Sequence, residues 1–219
     1  MKRAMTAMNN NRRLALFSTF TLLAFCLSVA VSSPAAENAA ASPRAVIESV
    51  VRDALAVLRD SKLPLDVKRR KVNQIAIDHV NFDVMSRLSL GRYYRPLTEA
   101  QRAQYTDAFK THVINTYRHT TDNYTDEDVQ ITGDRKEQDG DWTVQTRIVG
   151  TKDNKPGQEV AKVDYRLRAA DNQWKIIDMT IDGVSLIGNF RSQFQDIMTN
   201  GGIDKLLQLL RDKNAANEK

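Results

Sequence analysis

Gly183-Val184-Ser185-Leu186-Ile187-Gly188 sets a serine between glycines, much as hydrolases display a nucleophile. In that chemistry the motif is G-x-S-x-G, because both glycines let the backbone crowd around a strained turn. Here the spacing is G-x-S-x-x-G, and His79, His112 and His119 all precede the serine, which defeats the chain order of such a triad. Ser185 is therefore expected to cap a helix running through Phe190. Asp178 and Asp182 sit i, i+4 at the end of a strand-like segment, so both point to one face as an acid/base pair would. No second catalytic partner accompanies them. His112 and His119 are seven apart, whereas helical zinc ligands recur at i, i+4, and no H-E-x-x-H exists. His79 continues an apolar stripe and reads as a hydrogen-bonded core or boundary histidine. Gly150 to Gly157 lacks the G-K-[ST] ending of a phosphate loop. Lys68-Arg69-Arg70-Lys71 covers all sides of a helical turn, as a solvated helix start does. Its alternative is a docking patch for anionic lipid or an acidic partner, helped by Arg87, Arg92 and Arg95. The sequence thus points to no catalytic residue, no metal and no cofactor.

The elements that position these residues change period along the chain. Ser42-Pro43 starts a helix carrying Ile47, Val51, Ala54 and Leu58, with Ser as N-cap and Pro at the first helical position. Leu63-Pro64 ends it, and Asp66 is expected to cap a second helix through Val72, Ile75, Ala76 and His79. A third runs from Phe82 to Leu90 and stops at Gly91. Thr98-Glu99-Ala100-Gln101 is a capping box opening a long helix with Tyr105, Phe109, Val113 and Tyr117 on one stripe. The period then becomes two. Val129 and Ile131, then Trp142, Val144, Thr146 and Ile148, then Val163, Tyr165 and Leu167, then Ile177, Met179 and Ile181 read as four strands with one apolar face. Turns at Asp139-Gly140, Asn154-Lys155-Pro156-Gly157 and Asp171-Asn172 separate them. Connections this short imply an antiparallel meander. After Gly183 the helical period returns in Ile187, Phe190, Phe194 and Ile197. Gly201-Gly202 breaks it, and a last helix carries Ile203, Leu206, Leu207 and Leu210. The expected fold class is α+β, with helices cupped on one face of a curved four-stranded antiparallel sheet. One domain spans 42–211, followed by a polar, frayed tail over 212–219.

The first 36 residues read as a signal peptide. Lys2, Arg3, Arg12 and Arg13 form a basic start without an acid, Leu14 to Val31 is apolar, and Ser32-Ser33-Pro34-Ala35-Ala36 offers small residues for cleavage at about 32–41. Ser18, Thr19, Thr21 and Ser28 dilute the apolar run against a retained anchor, and Phe25 before Cys26 argues against a lipoprotein. Export to the periplasm follows. Four units of the formal +5 charge lie in this segment, leaving the remainder near +1, so nucleic acid loses its basic face. The only cysteine leaves with it, and stability rests on core packing.

Two blocks resemble a known family. Phe82 to Tyr117, "FDVMSRLSLGRYYRPLTEAQRAQYTDAFKTHVINTY", is similar to the L-G-x-Y/W-R/K-x-x-T-x-x-Q-R segment of the MlaC, or toluene-tolerance, proteins. Val163 to Leu210 is similar to that family's W-x-x-x-D strand, G-V-S hinge, helix, G-G/K-G-I-D and final helix. The resemblance implies a periplasmic phospholipid carrier, not an enzyme. It would exchange phospholipid with an inner-membrane ABC transporter complex containing an MCE-type protein and with an outer-membrane lipoprotein–porin complex, preserving outer-membrane asymmetry. A carrier has a physical rationale: at ~0.8 kcal/mol per buried CH₂, two acyl chains represent on the order of 20 kcal/mol against passage through water. The family's pocket lies between sheet and helices in an arrangement resembling the NTF2-like cone. Mapped here, it implies a hydrophobic, lipid-binding lining of Tyr105, Phe109, Val113, Val144, Ile148, Val163, Tyr165, Leu167, Met179, Ile181, Leu186, Ile187 and Phe190. Tyr94 and Phe190 stand where relatives often carry other aromatics. A hopanoid or other isoprenoid ligand, as in a related branch, is the nearest alternative. A small periplasmic enzyme on the same fold is a more distant one.

Overall fold

The computed structural model describes residues 41–117, 122, 124–151 and 156–217. The expected signal peptide, His119 and part of the Asn154-Lys155-Pro156-Gly157 turn lie outside them. Helix α1, Pro43–Arg59, begins where the sequence marks it, with the Ala45 N–H donating to Ser42 Oγ at 3.2 Å. Helix α2, Leu65–His79, has Pro64 at its N-cap instead of Asp66, whose carboxylate is taken by Arg70 one turn on, at 2.7 Å. Helix α3, Phe82–Leu90, is capped by Asn81 and ends at Gly91, where φ is 53° and a side chain would be strained. A short 3₁₀ turn leads on to α4, Glu99–Tyr117. Its capping box closes as the sequence implies: Gln101 N–H to Thr98 Oγ1 at 3.2 Å, and Thr98 N–H to Gln101 Oε1 at 3.0 Å.

The strands β1 (Asp128–Lys136), β2 (Trp142–Val149), β3 (Glu159–Ala170) and β4 (Gln173–Ile181) form the expected antiparallel meander, but a fifth strand, β5 (Val184–Ser185), extends it. Asp182 and Gly183, at φ 47° and 84°, make a two-residue hairpin that pairs Ile181 with Val184 and Thr180 with Ser185. Left-handed backbone at both central residues matches the twist of the flanking strands. The chain thus turns through a hairpin before it becomes helix, where the sequence suggested a direct strand-to-helix switch. Asp171-Asn172, at φ 49° and 59°, closes β3 onto β4 in the same way.

A β-bulge also corrects the assignment of sheet faces. Arg166 pairs with Asp178 but Leu167 pairs with Ile176, so Ile177 is the extra residue. Ile176, not Ile177, consequently joins Ile47, Val144 and Leu167 in the cluster between α1 and the sheet. A larger cluster fills the space among α3, α4 and the long α5 (Leu186–Asn217). There Tyr105, Phe109, Phe190 and Phe194 pack as one aromatic block, with neighbouring centroids 5.2 to 5.7 Å apart. Val80 and Met179 touch both clusters. Helix α5 kinks at Gly202, with φ 66° and ψ −167°, where the sequence marks a break. Beyond Asp212, where fraying was expected, the helix continues to Asn217, and buried Asn214 donates to the Ala108 carbonyl at 3.0 Å.

Candidate ligand-binding cavity

Between α2, α3, α4 and β4 the packing leaves a cavity of about 90 Å³. Asn73 and Ala76 of α2 form its outer wall, and Val80, Phe82 and Met85 form one side. Val113, Ile114 and Tyr117 of α4 and Ile176 and Met179 of β4 complete it. Among the described residues, the amide of Asn73 and the hydroxyl of Tyr117 are its only side-chain polar groups, and burial raises the Tyr117 pKa. Such a lining holds an apolar chain through dispersion and desolvation, and it carries no charged group to fix an ionic one.

Of the residues mapped as a pocket from the sequence, Val113 and Met179 line this cavity. Tyr105, Phe109, Leu186, Ile187 and Phe190 lie in the closed helical core. The hydroxyl of Tyr105 is bonded to Ser89 Oγ at 2.7 Å, and burial raises its pKa. Val144 and Leu167 are fully buried against Ile47, and half-buried Tyr165 packs on the same cluster. Its apolar surroundings push the Tyr165 pKa up to about 12. Val163 pairs with Ile181 across the sheet, and half-buried Ile148 lies next to that pairing on β2. Ten of these thirteen residues therefore divide between two packed clusters and the cavity where the clusters meet, while Ile148, Val163 and Ile181 lie on the strands outside all three. Sequence reasoning missed Asn73, Ala76, Val80, Phe82, Met85, Ile114, Tyr117 and Ile176. Tyr117 was accessible from the α4 stripe it shares with Val113, whereas Ile114 stands beside that stripe and Ile176 was hidden by the bulge.

The residues weighed for chemistry are occupied otherwise. Ser185 Oγ accepts from the Gly188 N–H at 2.9 Å and donates to Asp178 at 2.6 Å, so it caps α5 as expected. Asp178 also accepts from the N–H groups of Met179 and Ile187, and Asp182 accepts from the Lys162 N–H at 2.8 Å. A Cβ on Gly188 would come within 3.2 Å of Ser185 Oγ, which gives a steric reason for glycine there. His79 Nδ1 contacts the Ile75 carbonyl at 2.8 Å. His112 is buried edge-on to Phe190 with centroids 5.7 Å apart, and burial, then Lys213, lowers its pKa. In the basic run, Arg69 forms a two-pronged pair with Asp122 at 2.6 and 2.7 Å, Arg70 holds Asp66, and Lys68 donates to the Leu58 carbonyl. That run is mostly engaged within the fold, which weakens its reading as a docking patch.

The sequence matches the profile of the MlaC protein family over residues 48–212. The chain belongs to the MlaC family. The match takes in every wall of the cavity, from α2 to β4. Among MlaC proteins, the intermembrane phospholipid transport system binding protein of Haemophilus influenzae is 23% identical over 192 residues, covering 86% of this chain and 89% of its own length. A solved structure of the same kind is the phospholipid-binding protein from Ralstonia solanacearum in complex with a phospholipid. It superposes with a TM-score of 0.69 at 27% identity, over 83% of this chain and 100% of that one. The α+β fold read from the sequence is thus that of a MlaC protein, with a fifth strand that the four-stranded sequence reading lacked.

Proposed function

We propose that this chain is a periplasmic phospholipid carrier whose acyl chains enter the cavity among α2, α3, α4 and β4. The observation that carries the reading is an apolar cavity inside a fold shared with a protein whose structure holds a phospholipid. The Haemophilus influenzae relative is named as the binding protein of an intermembrane phospholipid transport system, and the family resemblance supplies the two ends of that route: lipid would pass between an inner-membrane ABC transporter complex containing an MCE-type protein and an outer-membrane lipoprotein–porin complex. A non-enzymatic role is supported by Ser185 and Asp178, whose polar atoms serve the start of α5. The cavity of about 90 Å³ is well below the roughly 300–1,000 Å³ of a drug-sized ligand pocket, so loading must move its walls apart. Mass spectrometry of organic extracts of the protein purified from periplasm tests the reading. Phospholipid is the expected product. A polycyclic isoprenoid would replace it as the ligand, and no lipid together with no uptake from vesicles would refute a carrier altogether.

A further inference from the structure

The apolar cavity has a polar neighbour. Val80 and Phe82 line both it and a second recess of about 400 Å³, formed by the start of α3, by α4 and by the β3–β4 hairpin. Buried Phe82 borders both, so the two spaces are neighbours across this residue. Lys110 of α4 and Lys175 of β4 are half-buried in this recess. Lys110 Nζ stands 5.6 Å from the centroid of the Phe82 ring, and Lys175 Nζ donates to the Asp78 carbonyl at 2.7 Å. Among the described residues neither ammonium is in an ion pair. The carboxylates of the recess, Asp83, Asp107 and Asp171, are exposed on its rim. Moving outward from the cavity, the chain therefore presents apolar side chains, then partly desolvated cations, then solvated anions.

A phospholipid with an amine-ended headgroup has the complementary order: acyl chains, phosphate, ammonium. We propose that this recess takes the headgroup of a zwitterionic phospholipid, with its phosphate on Lys110 and Lys175 and its terminal ammonium toward Asp83, Asp107 and Asp171. The inference rests on the carrier reading above and adds the class of lipid that the carrier selects. Half-burial strengthens the lysine–phosphate attraction over its value in water. A lysine is a compact charge with three rotatable donors, so it accepts a phosphate from several directions as the chains settle. The acidic rim works by discrimination, since a headgroup bearing net negative charge and no amine would meet only carboxylates there.

The full chain, stripped of lipid, would be loaded from vesicles of equal phosphatidylethanolamine and phosphatidylglycerol and re-isolated, and its lipid identified by mass spectrometry. The wild type is expected to be enriched in phosphatidylethanolamine. Losing both cations in a Lys110→Gln, Lys175→Gln chain should lower total lipid by about tenfold or more, since tenfold is roughly the scale of one lost charge-assisted bond. Arginine at both positions should restore the load. Asp83→Asn, Asp107→Asn, Asp171→Asn should instead keep the total and shift the ratio toward phosphatidylglycerol several-fold. Lys162→Gln, which removes a lysine that pairs with Glu159, is the control and should behave as wild type. Inorganic phosphate at a large excess should leave the load in place, and displacement by it would reveal a free-anion site and overturn the proposal. Unchanged amounts and ratios in every variant would overturn the headgroup site and leave the carrier standing. A wild type that takes up neither lipid would overturn both.

Discussion

Val113 and Val80 both border the cavity of about 90 Å³, and enlarging each by one methylene in Val113→Ile, Val80→Ile should stabilise the protein while hindering lipid uptake. At about 24 cal/mol per Å³, a cavity of this size costs on the order of 2 kcal/mol to maintain, which sets a ceiling on the gain. Two methylenes at ~0.8 kcal/mol each approach that ceiling without exceeding it. Neither change disturbs the backbone: Val113 stays β-branched within α4, and Val80 is extended at φ −99° and ψ 136°, where isoleucine is at ease. For a domain of this size, the expected rise in Tm is roughly 3–6 °C. Thermal unfolding of lipid-stripped protein by circular dichroism reads the first effect, and uptake of fluorescent phospholipid from vesicles reads the second. A fall in Tm of similar size would mean that the space is not available to these side chains. A rise in Tm with unaltered uptake would show that lipid binds elsewhere.

Met179→Glu should abolish lipid retention in a folded protein, because the residue is half-buried and lines the cavity, whereas Leu167→Glu, fully buried against Ile47, should prevent folding; lipid extraction and circular dichroism separate the two. Ser185→Ala removes both the cap on Gly188 N–H and the hydroxyl that donates to Asp178, and urea titration should find a loss of about 1 kcal/mol. Asp141 is buried between Arg166 and Arg168; burial alone would raise its pKa, but the two guanidiniums outweigh that and hold it below the ordinary value. Its contribution is therefore complete at neutral pH and lost as pH falls through the depressed folded-state pKa. Asp141→Asn should cost about 2–3 kcal/mol at pH 7, less than a fully buried pair because the arginines are partly exposed, and the Tm gap to wild type should close in acid.

The sequence was most informative where a local rule acts alone. Ser42-Pro43, Thr98 with Gln101, Gly91 and Asp171-Asn172 each satisfy or redirect the backbone within a few residues, and each marks its boundary correctly. Asp66 failed as a cap because its carboxylate had a competing partner in Arg70, a choice that depends on side-chain geometry. Alternation assigned Ile177 to the inner face because it assumes an unbroken register, and one bulged residue transferred that place to Ile176. The cavity was less legible still. Tyr105, Phe109 and Phe190 were mapped to the lining by the family resemblance, since periodicity does not tell a filled core from a hollow one, and they interlock as core. The remaining space lies where α2, α3 and α4 fail to meet over β4, which no single helix encodes.

Helix α2 spans Leu65–His79 without burying one residue, although it forms a wall of the cavity. Lifting it would expose little apolar surface, so its local unfolding free energy should lie far below that of the whole domain. In hydrogen–deuterium exchange, its amides should therefore exchange well before those of α4 or the central strands. The lipid exchange rate would then follow that subglobal fluctuation, and changes deep in the aromatic core could alter global stability severalfold without altering how often the carrier admits its cargo.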